Sequence, residues 1–146
     1  MESNRQITDP PAAEVRPRIG DSEKLTINLG VVDLGQIDLL VQEGFYANRS
    51  DLIRTAVRNQ LSVHADALKA TVARRTLTLG LRHYDRAELE RAVAAGERLQ
   101  VQVVGLARIA DDVPPELASA AIDSVTVLGA FQAPAAVKRA LSGRIR

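Results

Sequence analysis

Three hydrogen-bonding side chains, Lys24, Thr26 and Asn28, alternate strictly with Leu25, Ile27 and Leu29. Alternation is the period of a strand, so one face would offer an ammonium, a hydroxyl and a carboxamide while the other stays apolar. Further along, Asn48-Arg49-Ser50-Asp51 precedes Leu52-Ile53. This order places Ser50 as a helix N-cap with an acid in the first turn. The free N–H groups of a helix start form a seat for an anion. The chemistry on offer is binding: hydrogen-bonding groups on one strand face and, further along the chain, a seat for an anion.

Reaction chemistry has few parts available. The chain has no Cys and only two histidines, His64 and His83, which fall on different elements. Nucleophile and base arrangements, and metal sites of the usual donors, are therefore not expected. No G-x-G-x-x-G, Walker A loop or H-E-x-x-H occurs. Asp111-Asp112 precedes a proline-led helix, and Glu88 and Glu90 belong to a solvated helical face. We expect no enzyme, no cofactor and no metal. With 19 Lys+Arg against 18 Asp+Glu the net charge is +1, so any nucleic-acid contact has to come from a local patch. At 146 residues, 46% hydrophobic and 3% aromatic, the chain suits one ordinary domain or two small ones with an aliphatic core. It contains no apolar run resembling a signal peptide or a membrane span, which makes a cytoplasmic protein the expectation.

The elements that must position these residues follow from spacing. Residues 1–22, with Pro10, Pro11 and Pro17 and almost no apolar periodicity, read as a flexible arm. A short strand covers 24–29. From Asp33, the residues Leu34, Ile37, Leu40 and Val41 recur at helical spacing until Gly44 supplies a stop. A second helix starts at Ser50 and carries a stripe of Ile53, Val57, Leu61, His64, Leu68 and Val72, so it should run on toward Ala73. His64 on that stripe reads as a packed or joint-facing imidazole, and Arg54 with Arg58 as a solvated face or an intrachain ion pair. A lone six-residue strand has two unpaired edges and is unstable until another chain completes it. Two copies would pair their strands into an antiparallel ribbon, a shape that fits the major groove of DNA.

Lys24-Leu-Thr-Ile-Asn-Leu29, the helix ending at Gly44, and Asn48-Arg49-Ser50-Asp51-Leu52-Ile53-Arg54 together resemble the ribbon-helix-helix family of Arc, MetJ and CopG type. The resemblance implies a swapped two-stranded β-ribbon in a homodimer. It further implies base contacts from Lys24, Thr26 and Asn28, and phosphate contacts from Asn48, Arg49 and Ser50. Nickel-responsive members of that family are set aside, because their regulatory domain needs several His and a Cys, and the likeness to them stops at about Val63.

After Arg75 the sequence repeats with a period of 24 residues. Thr76 to Leu79 aligns with Gln100 to Val103 and with Ser124 to Val127, each polar, apolar, polar, apolar. A glycine follows each time, at Gly80, Gly105 and Gly129. Helical pairs then recur at Leu89/Val93, Val113/Leu117 and Val137/Leu141. Strand and helix in this order require parallel strands with crossovers. Leu77/Val101/Val125 and Leu79/Val103/Val127 should stack beneath the helices, with Thr76/Gln100/Ser124 and Thr78/Gln102/Thr126 on an open polar face. The expected fold class is α+β: an arm over 1–22, a ribbon-helix-helix domain over 23–74, and a three-repeat, solenoid-like α/β domain over 75–146. The expected function is a sequence-specific transcriptional regulator, a repressor that binds double-stranded DNA, with higher oligomers formed through the repeats. An antitoxin, or a scaffolding protein whose active part is the repeat domain, are the alternatives.

Overall fold

A computed structural model describes residues 22–146. All but the last residue of the expected arm, Ser22, lies outside the described residues. Helix α1 spans Val31–Gln42 and helix α2 spans Arg49–Val63. The turn between them is fixed by Gly44, whose φ of +82° is open to glycine and strained for other residues. Its N–H reaches Val41 O at 3.1 Å, and the Phe45 N–H reaches Leu40 O at 3.0 Å. These two bonds satisfy carbonyls that the last turn leaves free. The apolar stripe of α1 sits where spacing placed it, with Leu34, Ile37, Leu40 and Val41 half-buried.

The long second helix is two helices. Helix α2 ends at Val63, and helix α3 spans Ala65–Arg74, with His64 at φ −97°, ψ 11° between them. His64 is exposed, its Nε2 3.4 Å from the Gln60 amide nitrogen, so it is not a packed core imidazole. Helix α3 closes at Thr76, a β-branched residue at φ +55°. Its N–H and that of Leu77 reach back to Ala73 O and Val72 O at 3.2 and 2.9 Å.

Strand β1 (Thr78–Tyr84), helix α4 (Arg86–Ala94), strand β2 (Leu99–Ile109), helix α5 (Pro115–Ala121), strand β3 (Ile122–Gln132) and helix α6 (Ala135–Ala140) follow in order. The strands form one parallel sheet ordered β1-β2-β3. Asp85 caps α4 by accepting the Glu88 N–H at 2.7 Å, and Pro115 opens α5, where a missing N–H costs nothing. Leu89, Val113 and Val137 are buried together with Val101, Val103, Ile109 and Val125, so the helices pack on one face of the sheet.

Between β2 and β3 the expected register holds, with Gln100 beside Ser124, Val101 beside Val125, Gln102 beside Thr126 and Val103 beside Val127. Between β1 and β2 it does not. Thr78 pairs with Val103 and Leu79 with Val104, one residue off the 24-residue alignment. Leu77 precedes β1, Thr76 lies in the turn before it, and Leu79 turns away from the helices with 64% of its surface exposed. The connection explains the slip. Residues 95–98 join α4 to β2, whereas α5 runs directly into β3. Register is set by the aligned glycines Gly80, Gly105 and Gly129, at φ +124°, +133° and +116°. Shifting a strand by one residue exchanges its two faces. The open face expected to be polar is consequently apolar along much of its length.

Candidate nucleic-acid interface

Residues 24–29 belong to no regular element and pair with no strand among the described residues. Lys24, Thr26 and Asn28 are exposed, and so are Leu25, Ile27 and Leu29, with Leu25 at 83%. Leu25 and Ile27 border a groove over Ile53 and Val57 of α2, whereas Thr26 and Asn28 do not line it. Lys24 and Ser50 also border this groove, together with Arg54 and Arg58. Sequence spacing set these two arginines aside as a solvated face or an ion pair. Among the described residues neither makes an ion pair. The signal that could have found them is their position four and eight residues after Ser50, on the same face of α2.

The start of α2 is built differently from its expected cap. Asn48, not Ser50, is the N-cap, accepting the Asp51 N–H at 2.8 Å. Asp51 reciprocates by accepting the Ala47 N–H at 3.0 Å. Two short polar side chains three residues apart thus close a box at the helix entrance. Ser50 lies inside the first turn. The backbone N–H groups of Arg49 and Ser50 find no acceptor within the helix, by the geometry of any helix start.

Arg49 is committed elsewhere. Its Nε and one terminal nitrogen meet the Asp38 carboxylate at 2.7 and 2.8 Å, pinning α1 to α2 in a fork of two parallel bonds. The hydrogen bond from Arg49 holds the Asp38 carboxyl below the usual carboxylate range, and Asp38 raises the guanidinium in turn. Eleven residues separate the pair in sequence, a spacing with no local signature. Positive charge free to meet a polyanion accordingly gathers at Lys24, Arg54 and Arg58.

No residue from 22 to 83 is buried, and Tyr84 is the first buried residue of the described chain. Yet the same stretch displays Leu39, Phe45, Val57, Leu61 and Val63, each more than half exposed. A lone copy of these helices therefore has no core of its own. Among the described residues no helix is long and apolar enough to cross a membrane, and no group of three potential metal ligands occurs.

Neither the curated proteins nor the solved structures include a match to this chain. The model of the ribbon-helix-helix transcriptional regulator family matches residues 20–138. That span takes in the unpaired segment, the capped helix and all of the three-stranded sheet. Because that match covers most of the chain, including the alternating segment, the capped helix start and the sheet, the chain belongs to the ribbon-helix-helix transcriptional regulator family.

Proposed function

We propose that two copies pair residues 24–29 as an antiparallel ribbon that lies in the major groove of an operator. Lys24, Thr26 and Asn28 of each copy contact base edges, and Leu25, Ile27 and Leu29 cover the paired helices. The start of α2 seats a flanking phosphate on the Arg49 and Ser50 N–H groups beside the Asn48 cap, while Arg54 and Arg58 supply the nearby positive charge. In this reading 23–74 is the DNA-binding and dimerisation domain. Residues 75–146 are a solenoid-like association domain, and the protein acts in the cytoplasm as a repressor by occluding the polymerase. One observation carries the proposal: a segment of alternating polar and apolar residues that is exposed and unpaired in one copy, next to helices without a core.

Footprinting the protein on its own upstream region tests it. The expected result is a protected site whose recognition the double change Lys24→Ala with Asn28→Ala abolishes, at about 1–3 kcal/mol per lost base contact. A double variant that remains dimeric and keeps its sequence preference in gel shifts would show that the ribbon is not the reader.

A further inference from the structure

The sheet has one face the helices leave bare. The register brings Leu79, Val104 and Leu128 into one row across the three strands, and Leu81, Leu106 and Ala130 into another. Leu79, Leu81 and Leu128 are each at least half exposed, at 64%, 56% and 50%, Val104 and Ala130 are half-buried, and Leu106 on the central strand is buried at 7%. No charged or polar side chain enters either row. Polar residues stand only beyond them, Thr126 and Gln102 on one side, His83 and Arg108 on the other.

Between the rows runs a third, made of Gly80, Gly105 and Gly129. It bears no side chain, and at two of its three positions there is no room for one: a Cβ on Gly105 would stand 2.2 Å from Gly80 O, and one on Gly129 would stand 2.1 Å from Gly105 O. The result is a trough floored by backbone and walled by aliphatic side chains, and it forms a single groove. Parallel sheets are ordinarily covered on both faces.

We infer that this face closes on the same face of a second copy, aliphatic rows of one sheet entering the glycine trough of the other. The inference rests on the dimer that the ribbon-helix-helix assignment brings, and two features point to a copy as the occupant. Ridge and trough lie on the same patch, so the patch is complementary to itself under a two-fold rotation, as an isologous interface requires. The groove is also continuous with the dimerising segment, because Glu23, the residue before Lys24, lines both this trough and the groove over α2. A copy already held through residues 24–29 presents its own sheet at high effective concentration.

The chain has no native cysteine, which gives cross-linking a clean background. In the full-length protein Val104→Cys, on the central strand beside the trough, should form an interchain disulfide on mild oxidation. Glu97→Cys, exposed in the connection before β2, should not. Adding Leu81→Asp and Leu128→Asp to the Val104→Cys chain should suppress the cross-link at least tenfold while light scattering still finds a dimer. Both leucines are exposed in one copy, so neither change should disturb its fold, and circular dichroism checks this. A dimer with no cross-link at position 104 overturns the inference and leaves the ribbon reading standing. A monomer overturns the ribbon reading itself. A cross-link that forms only after residues 1–21 are removed would assign the trough to the chain's own N-terminus and overturn the inference as well.

Discussion

At the scale of single residues, the helix entrance and the junction after α3 make the sharpest claims. Asn48→Ala removes the acceptor that holds the Asp51 N–H and should cost about 0.5–2 kcal/mol by denaturant titration, whereas Ser50→Ala, inside the first turn, should cost much less. Equal losses would restore Ser50 as the cap. Thr76 holds a left-handed conformation that costs a β-branched residue about 1–2 kcal/mol. Thr76→Gly relieves that strain at some cost in unfolded-chain entropy, and the net should be a gain of about 0.5–1 kcal/mol. The Arg49–Asp38 pair responds to acid with a definite sign. A carboxyl depressed in the folded state supports the fold above its ordinary pKa, and that support disappears as pH falls through the lowered value. Acidification should therefore release Arg49. Asp38→Asn imitates the release at neutral pH, and the freed cation should raise affinity for any DNA sequence and steepen its salt dependence by up to one counterion. An unchanged salt slope would mean that Arg49 lies away from the phosphates.

At the scale of elements, the glycine row determines which strand residue meets which. Gly105→Ala forces a methyl group into the Gly80 carbonyl, against the backbone of β1, so the sheet has to separate or slip. We expect loss of the cooperative unfolding transition of the sheet, with the helicity of α1–α3 retained. An alanine variant that melts like the parent would contradict the close approach. The same row shows how far the sequence could be followed. The strand-helix order, the glycines, the buried Leu89, Val113 and Val137, and the β2–β3 pairing were legible because local spacing encodes them. The β1–β2 register was not. An extra turn at 95–98 breaks the strict repeat, and only the tertiary alignment of Gly80 with Gly105 decides the offset. In the N-terminal half, helix α1 and its stop at Gly44 were legible, whereas residues 24–29 form no strand in one copy, the cap fell at Asn48 instead of Ser50, and the break at His64 carries neither a proline nor a glycine to announce it. The contact between Arg49 and Asp38 exists only once α1 folds back along α2.

At the scale of the whole molecule, the two halves differ in what holds them. Among the described residues every buried side chain belongs to the sheet and its helices, from Tyr84 onward. In the proposed dimer the N-terminal helices draw their core from the partner. Dilution should thus melt α1–α3 in step with dimer dissociation, giving a helical signal whose midpoint moves with protein concentration further than that of the sheet, which keeps its own core. Coincident, concentration-independent melting of both halves would refute the division.

The missing core in residues 22–83 has a genetic consequence. If folding of the reading segment depends on a partner, each copy's ability to find an operator is shared property. A chain carrying Lys24→Ala and Asn28→Ala keeps its apolar Leu25, Ile27 and Leu29, so it should still pair with unaltered chains and contribute half of a defective ribbon. Expressed alongside the parent gene at equal level, it would draw half of all chains into mixed pairs and a quarter into wholly defective ones, assuming random assortment. If the protein represses, as proposed, the altered allele should therefore act as dominant, derepressing the controlled gene in cells that still carry an intact copy.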